Sequence, residues 1–167
     1  MATRNPANDL SSIELRRFFI SHLNRIYCAK NQLVDKLPLL GARAHFLDLR
    51  QAVDETIDAV RLQIQRMNRI YILMDDLYRV ESCVGLTGIL DEAFQSVGVP
   101  GDSPALRDLS ILFYMQNIES IESASFHVLL RVVARLQRPD IMQLLRECYD
   151  EAREDKALFK AITKNYL

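Results

Sequence analysis

The fold is decided by residues 42–77, which read ARAHFLDLRQAVDETIDAVRLQIQRMNRIYILMDDL. No glycine or proline interrupts this stretch, and its apolar residues recur every three or four positions, the spacing that places them on one face of an α-helix. These residues are Phe46, Leu49, Val53, Ile57, Val60, Ile64, Met67, Tyr71 and Met74. The stretch predicts one long amphipathic helix, which has to bury its apolar face against other helices.

A similar stripe precedes this helix. Ser11 and Ser12 come just before Ile13 and Glu14, which predicts a helix start with a serine cap and an acidic residue in the first turn. The stripe that follows consists of Leu15, Phe19, His22, Ile26, Lys30, Leu33 and Leu37. We expect Pro38 and Gly41 to end this first helix.

The second half of the chain predicts a short helix over residues 81–97, a loop over residues 98–104, and two further long helices. The third long helix begins near Ser103 and Pro104 and runs to about Leu136, and the fourth runs from Pro139 to about Thr163. The pattern indicates an all-α, ferritin-like four-helix bundle: two long helical hairpins joined by a crossover that contains the short helix. We expect residues 10–165 to form this single domain and residues 1–9 to form a flexible N-terminal arm.

Composition excludes several classes of protein. The chain has 167 residues, of which 49% are hydrophobic and 26% charged, and such a chain is not disordered. The net charge of -1 disfavours nucleic-acid binding, and we expect the basic residues Arg61, Arg66 and Arg69 to form a solvated face. No apolar run is long enough for a membrane span, and the polar N-terminus lacks the apolar core of a secretory signal. We therefore expect a cytoplasmic protein with no membrane partner.

The three cysteines, Cys28, Cys83 and Cys148, are far apart in the sequence and have no zinc-binding spacing. Because cytoplasmic proteins keep their thiols reduced, we expect three free cysteines.

Four charged residues lie where the helices should be apolar: Lys30 in the first helix, Glu119 and Glu122 in the third, and Asp155 in the fourth. An unpaired buried charge costs several kcal/mol, on the order of the stability of a small domain. The four residues therefore form a buried ion-pair network in which Lys30 neutralises the acids, or hold metal through Glu119, Glu122 and Asp155, or tilt out to solvent. Lys30 favours the first alternative, because a lysine and a divalent metal ion repel each other.

The histidines give no support to a metal site. Di-iron bundles use about four acids and usually two histidines that face inward. The chain has no Glu-x-x-His pair, and we expect His22, His45 and His127 to be structural or surface residues.

Three segments resemble the YciF-like ferritin-like proteins, a family of bacterial stress-associated four-helix bundles. IYCAKNQLVDKLP (residues 26–38) is similar to the family pattern I-Y-x-A-E-x-Q-L-x-x-x-L-P, and CVGLTGILDE (residues 83–92) is similar to C-x-A-M-x-G-L-x-x-E. DLSILFYMQNIESIE (residues 108–122) resembles D-x-x-L-I-x-x-x-Q-x-x-E-H-Y-E. The resemblance extends from about Ser12 to Thr163 and implies a ferritin-like bundle with a carboxylate di-metal site.

The departures from the family pattern imply that this di-metal site is degenerate. The acid of the first pattern falls on Lys30, and the histidine of E-H-Y-E is Ser120. The second-helix pattern H-x-x-E-T-x-x-Q aligns with Thr56, Ala59, Val60 and Gln63, so that only the glutamine is kept, although Asp54, Glu55 and Asp58 would allow a shifted register. The fourth-helix acids fall on Asp150 or Glu151 and on Asp155.

Two functions compete on these grounds. In the first, a non-catalytic, stress-associated bundle has lost a competent di-iron centre, binds no cofactor, and acts by protein association as a homodimer. In the second, the chain is a metal-dependent oxidoreductase of ferroxidase or catalase type that holds iron or manganese through Glu119, Glu122 and Asp155. We expect the first and therefore no catalytic residues. A purely structural bundle with solvated charges is a third interpretation.

Overall fold

A computed structural model describes residues 9–167, which form five α-helices and no β-strand. The helices are α1 (Ser12–Gly41), α2 (Leu47–Leu73), α3 (Val84–Val97), α4 (Pro104–Arg135) and α5 (Pro139–Thr163). The hairpins α1–α2 and α4–α5 pack together, and α3 lies in the crossover against α1 and α4. The predicted all-α, ferritin-like bundle is confirmed. Among the described helices, none has the length and apolar character needed to cross a bilayer.

The predicted helix starts are built from local caps. Ser11 and Glu14 form a reciprocal capping box, in which the serine hydroxyl accepts from the Glu14 amide at 3.2 Å and the Glu14 carboxylate accepts from the Ser11 amide at 2.9 Å. Ser103 caps α4 by accepting from the Leu106 amide at 3.2 Å, with Pro104 in the first turn.

The end predicted for the first helix is confirmed at Gly41 and wrong at Pro38. Pro38 lies inside α1 at an exposed position three residues before the helix end, where its missing amide removes a single hydrogen bond from the last turn. Gly41 is buried, and a Cβ atom at this position would lie 3.0 Å from the Val53 side chain. The glycine therefore permits the close approach of α1 and α2.

The second helix is shorter than the predicted range 42–77. At its start, the backbone amides of His45 and Phe46 donate to the buried Asp108 carboxylate instead of joining the helix. At its end, Asp75 has a left-handed backbone (φ 48°), and the Asp76 amide donates to the Tyr71 carbonyl at 3.0 Å. This is a Schellman motif with aspartate in the position that glycine usually takes.

The crossover helix also starts later than predicted, at Val84 instead of Glu81. The Glu81 side chain is held by α1, where it accepts from Ser21 at 2.8 Å and from Arg25 at 3.2 Å. The predicted flexible arm, residues 1–9, lies outside the described residues except for Asp9, whose carboxylate accepts from Arg135 at 2.6 Å.

The expectation of three free cysteines is wrong, because a disulfide joins Cys28 on α1 to Cys83 at the start of α3. The two residues are 55 positions apart in sequence, and their Cα atoms are 6.1 Å apart. Since they lie in different elements, only the tertiary fold brings them together. Cys148 is a free, buried thiol, and burial raises its pKa to about 12.

The apolar core consists of two halves that lie one after the other along the bundle axis. One half contains residues such as Leu33, Val53 and Phe159, and the other contains Phe19, Met67 and Phe126. On each long helix a short stretch near the middle belongs to neither half, and these stretches meet in one interior layer.

We expect the Cys28–Cys83 disulfide to contribute about 4 kcal/mol to the free energy of unfolding, because it reduces the number of conformations that the loop containing α2 can adopt in the unfolded chain. Urea unfolding with and without dithiothreitol measures this contribution. In the Cys83→Ser variant the reductant should have no further effect. Identical unfolding midpoints of the oxidised and reduced wild-type protein would contradict the expectation.

Candidate functional site

The interior layer between the two halves of the core is polar. It receives Lys30 from α1, Thr56 and Gln63 from α2, Glu119 and Glu122 from α4, and Asp155 from α5; we call this set the charged layer. All of these residues are buried except Asp155, which is half-buried. The four charged residues singled out in the sequence thus lie together in one region of the bundle.

Lys30 is the central cation of this layer. Its side chain is fully buried (0% exposed), and its ammonium Nζ donates directly to the Glu122 carboxylate. The ammonium also lies 5.4 Å from the centroid of the Phe126 ring, a distance at which a cation is attracted to the aromatic face. Because Glu122 and Phe126 are four positions apart on α4, one face of that helix supplies both contacts.

Glu119 lies one helical turn before Glu122 and has no direct cation partner among the described residues. Its side chain is 1% exposed, and its Oε1 atom has no hydrogen-bond partner. Burial is the main cause that raises the pKa of Glu119 well above its ordinary value, and the nearby Glu122 and Asp155 charges raise it further, against the effect of Lys30. Burial therefore favours the protonated form of Glu119.

Asp155 completes the layer at its partly exposed side. Burial raises its pKa to about 6, and the charges of Glu122 and Glu151 act in the same direction. The nearby Thr56 hydroxyl and the Lys30 ammonium oppose this increase. One ammonium faces three carboxyl groups, so the layer reduces its excess negative charge by binding protons.

Gln63 of the charged layer and Arg66 beside it are two polar residues of α2 that the sequence analysis did not assign to the interior. Gln63 is buried and donates to Glu151 at 3.1 Å, while its Oε1 atom has no partner. Arg66, predicted to be solvated, is half-buried and bridges Glu147 and Glu151 at 2.8 Å each. Gln63 and Arg66 are three positions apart on α2 and therefore lie on the same side of that helix. This spacing was the sequence signal that could have placed both residues together beside the interior.

The residues present do not fit the di-metal centre that the family resemblance implies. Among residues 9–167, no cluster of three or more histidine, cysteine, aspartate or glutamate side chains is arranged to hold a metal ion. The Lys30 ammonium contacts one of the carboxylates that would have to bind metal. Ala59 and Ser120 have side chains that cannot replace a glutamate or histidine ligand.

The three histidines lie away from the layer. His22 is half-buried and contacts the Phe18 ring, with centroids 4.2 Å apart. His45 precedes α2 at one end of the bundle, and His127 is exposed, with its ring 5.8 Å from that of Tyr149. Burial is the main cause that lowers the pKa of His22.

The comparisons with known proteins agree with this fold. A family model described as a domain of unknown function (DUF892) matches residues 14–166. The crystal structure of the Escherichia coli stress protein YciF is 22% identical, with a TM-score of 0.87, over 91% of this chain and 96% of that chain. YcfI from Rhodopseudomonas palustris, for which a structural role has been suggested, is 20% identical, with a TM-score of 0.83, over 94% of this chain and 98% of that chain. None of the curated protein sequences matches the chain significantly.

We expect Asp155→Asn to stabilise the protein at pH 8, by about 2 kcal/mol after allowance for the partial exposure of Asp155. The pKa of this carboxyl is raised to about 6 in the folded state. Its protonation therefore stabilises the fold at low pH, and this contribution is lost as the pH rises through 6.

Urea unfolding of both proteins at pH 8 and pH 5 measures the effect, and the advantage of the variant should shrink towards pH 5. The control is Asp150→Asn, which removes the same charge from an exposed position on α5. A pH-independent difference, or an equal gain from the control, would show that the ionised Asp155 does not destabilise the fold.

Proposed function

The chain belongs to the family described as a domain of unknown function (DUF892), and from this premise we propose that it is a non-catalytic, stress-associated ferritin-like bundle that acts by protein association. In this proposal the di-iron centre of a ferritin-like ancestor has been lost, and the Lys30 ammonium replaces the metal charge. The contact between buried Lys30 and Glu122 is the observation that carries the proposal.

The chemistry of the layer supports this replacement. A di-metal carboxylate site balances several acids with two divalent ions, and removal of those ions would leave the acids unneutralised inside the core. Here one ammonium neutralises Glu122, while burial favours the protonated form of Glu119. The acids are thus accommodated without a metal ion, and no step of chemistry is required of them.

An apolar groove supports association. It has a volume of about 560 Å³ and lies where α1, the start of α3 and α4 leave a gap, with Phe18, Ile26, Ile121 and Val128 among its lining residues. The only charged side chain in its lining is Arg25, which already pairs with Glu81.

The occupant that we propose for this groove is a second copy of the chain. Because its one charged residue is already paired with Glu81, the groove offers no free charge to an acidic or basic partner, and it matches another apolar surface of the same kind. A two-fold axis would bring the same residues of both copies together and bury both grooves at once. We therefore propose a homodimer that buries Phe18, Ile121 and Val128.

A stress role and a cytoplasmic location belong to the same proposal. The YciF structure is that of a stress protein, and its fold covers nearly the whole of this chain. Disulfides in the cytoplasm are mostly transient. The Cys28–Cys83 bond would there report the redox state of the cell instead of fixing the fold permanently.

One observation favours the second candidate, a metal-dependent oxidoreductase. Glu119 Oε1 and Glu122 Oε1 are buried carboxyl oxygens without a hydrogen-bond partner, and such atoms are possible ligands for iron or manganese. This candidate requires that Lys30 leave Glu122, and the following experiment separates the two functions.

We expect Lys30→Glu to bind Fe²⁺ or Mn²⁺ about tenfold or more tightly than the wild-type protein, because the change removes a repelling charge and adds a carboxylate ligand. Elemental analysis after metal loading and dialysis measures the retained metal. Lys36→Glu makes the same charge change on the exposed side of α1 and should retain no more metal than wild type.

Unchanged metal content in a folded Lys30→Glu protein would contradict the blocking role of Lys30. Stoichiometric iron in the wild-type protein, with a new near-ultraviolet absorption band after aerobic iron addition, would establish the oxidoreductase candidate instead.

We expect the wild-type protein to sediment as a dimer in analytical ultracentrifugation, and Val128→Glu to raise the dissociation constant about a hundredfold or more, because it buries an unpaired charge in the interface. Ile72→Glu is the control, since Ile72 is an exposed aliphatic residue on α2 outside the groove. A monomeric wild-type protein, or equal dissociation of both variants, would rule out the groove as the dimer interface.

A further inference from the structure

A second concave site lies at the end of the bundle where the α1–α2 turn, the last residues of α3 and the first turn of α4 meet. It has a volume of about 520 Å³, and its charged lining consists of Arg43, Arg50 and Arg107, with His45 beside them. We call it the basic pocket. None of its lining residues is acidic, although the chain as a whole has a net charge of -1.

The three arginines form no ion pair with any acid in residues 9–167. Arg43 donates through Nη1 to the Phe94 carbonyl at 3.1 Å, and its guanidinium lies 5.1 Å from the centroid of the Phe94 ring. Arg50 donates through Nε to the Ala44 carbonyl at 2.7 Å. The Arg107 guanidinium has no hydrogen-bond partner within the described part of the chain, although it is half-buried.

The buried acid that follows Arg107 in the sequence forms no ion pair with these arginines. Asp108 is fully buried, and its carboxylate accepts from the backbone amides of His45 at 2.7 Å and Phe46 at 2.9 Å and from the Tyr166 hydroxyl at 3.1 Å. Its role is to hold the turn that carries the pocket. Asp102, in the loop before α4, does not line the pocket.

The contacts of Arg43 and Arg50 orient each guanidinium group but use only part of its hydrogen-bond donors. Each guanidinium has five N–H donors, and each of these two residues uses one on a backbone carbonyl, which leaves the others free. The pocket therefore presents oriented, unused donors.

We propose that the basic pocket binds a small phosphate-type anion, with pyrophosphate as the simplest molecule of this class. Three positive charges that line one pocket repel one another, and a multiply charged anion offsets that repulsion. The planar guanidinium fork matches the oxygen geometry of a phosphate group, and its hydrogen bonds to phosphate are charge-assisted. This site is independent of the charged layer and of the groove.

Isothermal titration calorimetry at physiological ionic strength tests the proposal, with pyrophosphate, orthophosphate and a single-stranded oligonucleotide as separate ligands. We expect one pyrophosphate per chain and weaker binding of orthophosphate, which carries less charge. Arg107→Gln and Arg50→Gln should each weaken pyrophosphate binding about tenfold or more, because each removes a charged hydrogen-bond donor.

The control is Arg69→Gln, which removes the same charge from an exposed position on α2 and should leave binding unchanged. Since Arg107 has no side-chain partner, its variant should keep the melting temperature of the ligand-free protein, so that a loss of binding cannot be a loss of folding. No binding of pyrophosphate at millimolar concentration, equal loss in the Arg69 control, or binding of the oligonucleotide alone would overturn the proposal.

Discussion

The buried ion pair between Lys30 and Glu122 is the interaction on which the arrangement of the bundle interior depends. It joins α1 to α4, two long helices that both pack against α3, and it lies between the two apolar halves of the core. Breaking such a pair by removing one partner costs about 3–5 kcal/mol, a large part of the stability of a domain this size. The two halves of the core therefore pack as one bundle at full stability only when this pair is intact.

Most of the fold was predictable from the sequence because it rests on local signals. The three- and four-residue spacing of apolar side chains, Ser11, and the Ser103–Pro104 pair located the long helices to within a few residues. The end of α2 was harder, since Asp75 adopts the left-handed conformation that is usual for glycine. The prediction at Pro38 was wrong for a different reason. A proline inside a helix lacks the amide donor and its ring crowds the preceding turn, but an exposed position three residues before the end of α1 tolerates both effects.

The candidate site was predictable in part. Lys30, Glu119 and Glu122 interrupt apolar stripes, and burial of those stripes brings them inside. The sequence left open which acid contacts the lysine, because Glu119 and Glu122 are one turn apart and only the rotation of α4 places Glu122 at Nζ. The Cys28–Cys83 bond and the basic pocket were missed, since each combines residues from separate segments that show no shared spacing.

The charged layer and the groove are adjacent, which links stability to association. Ala29, next to Lys30, lines the groove, and so does Ile121, which lies between Glu119 and Glu122. The segments of α1 and α4 that line the groove therefore also carry the Lys30–Glu122 ion pair. In the proposed homodimer, a second copy seated in the groove would exclude solvent from this side of the bundle and lower the local dielectric constant, which would strengthen the attraction between Lys30 and Glu122. Because the same change penalises any carboxylate left unpaired, it would also favour the protonated form of Glu119. In the proposed homodimer, association would therefore favour both the ion pair and the protonated carboxyl, which are the two features that accommodate the buried acids.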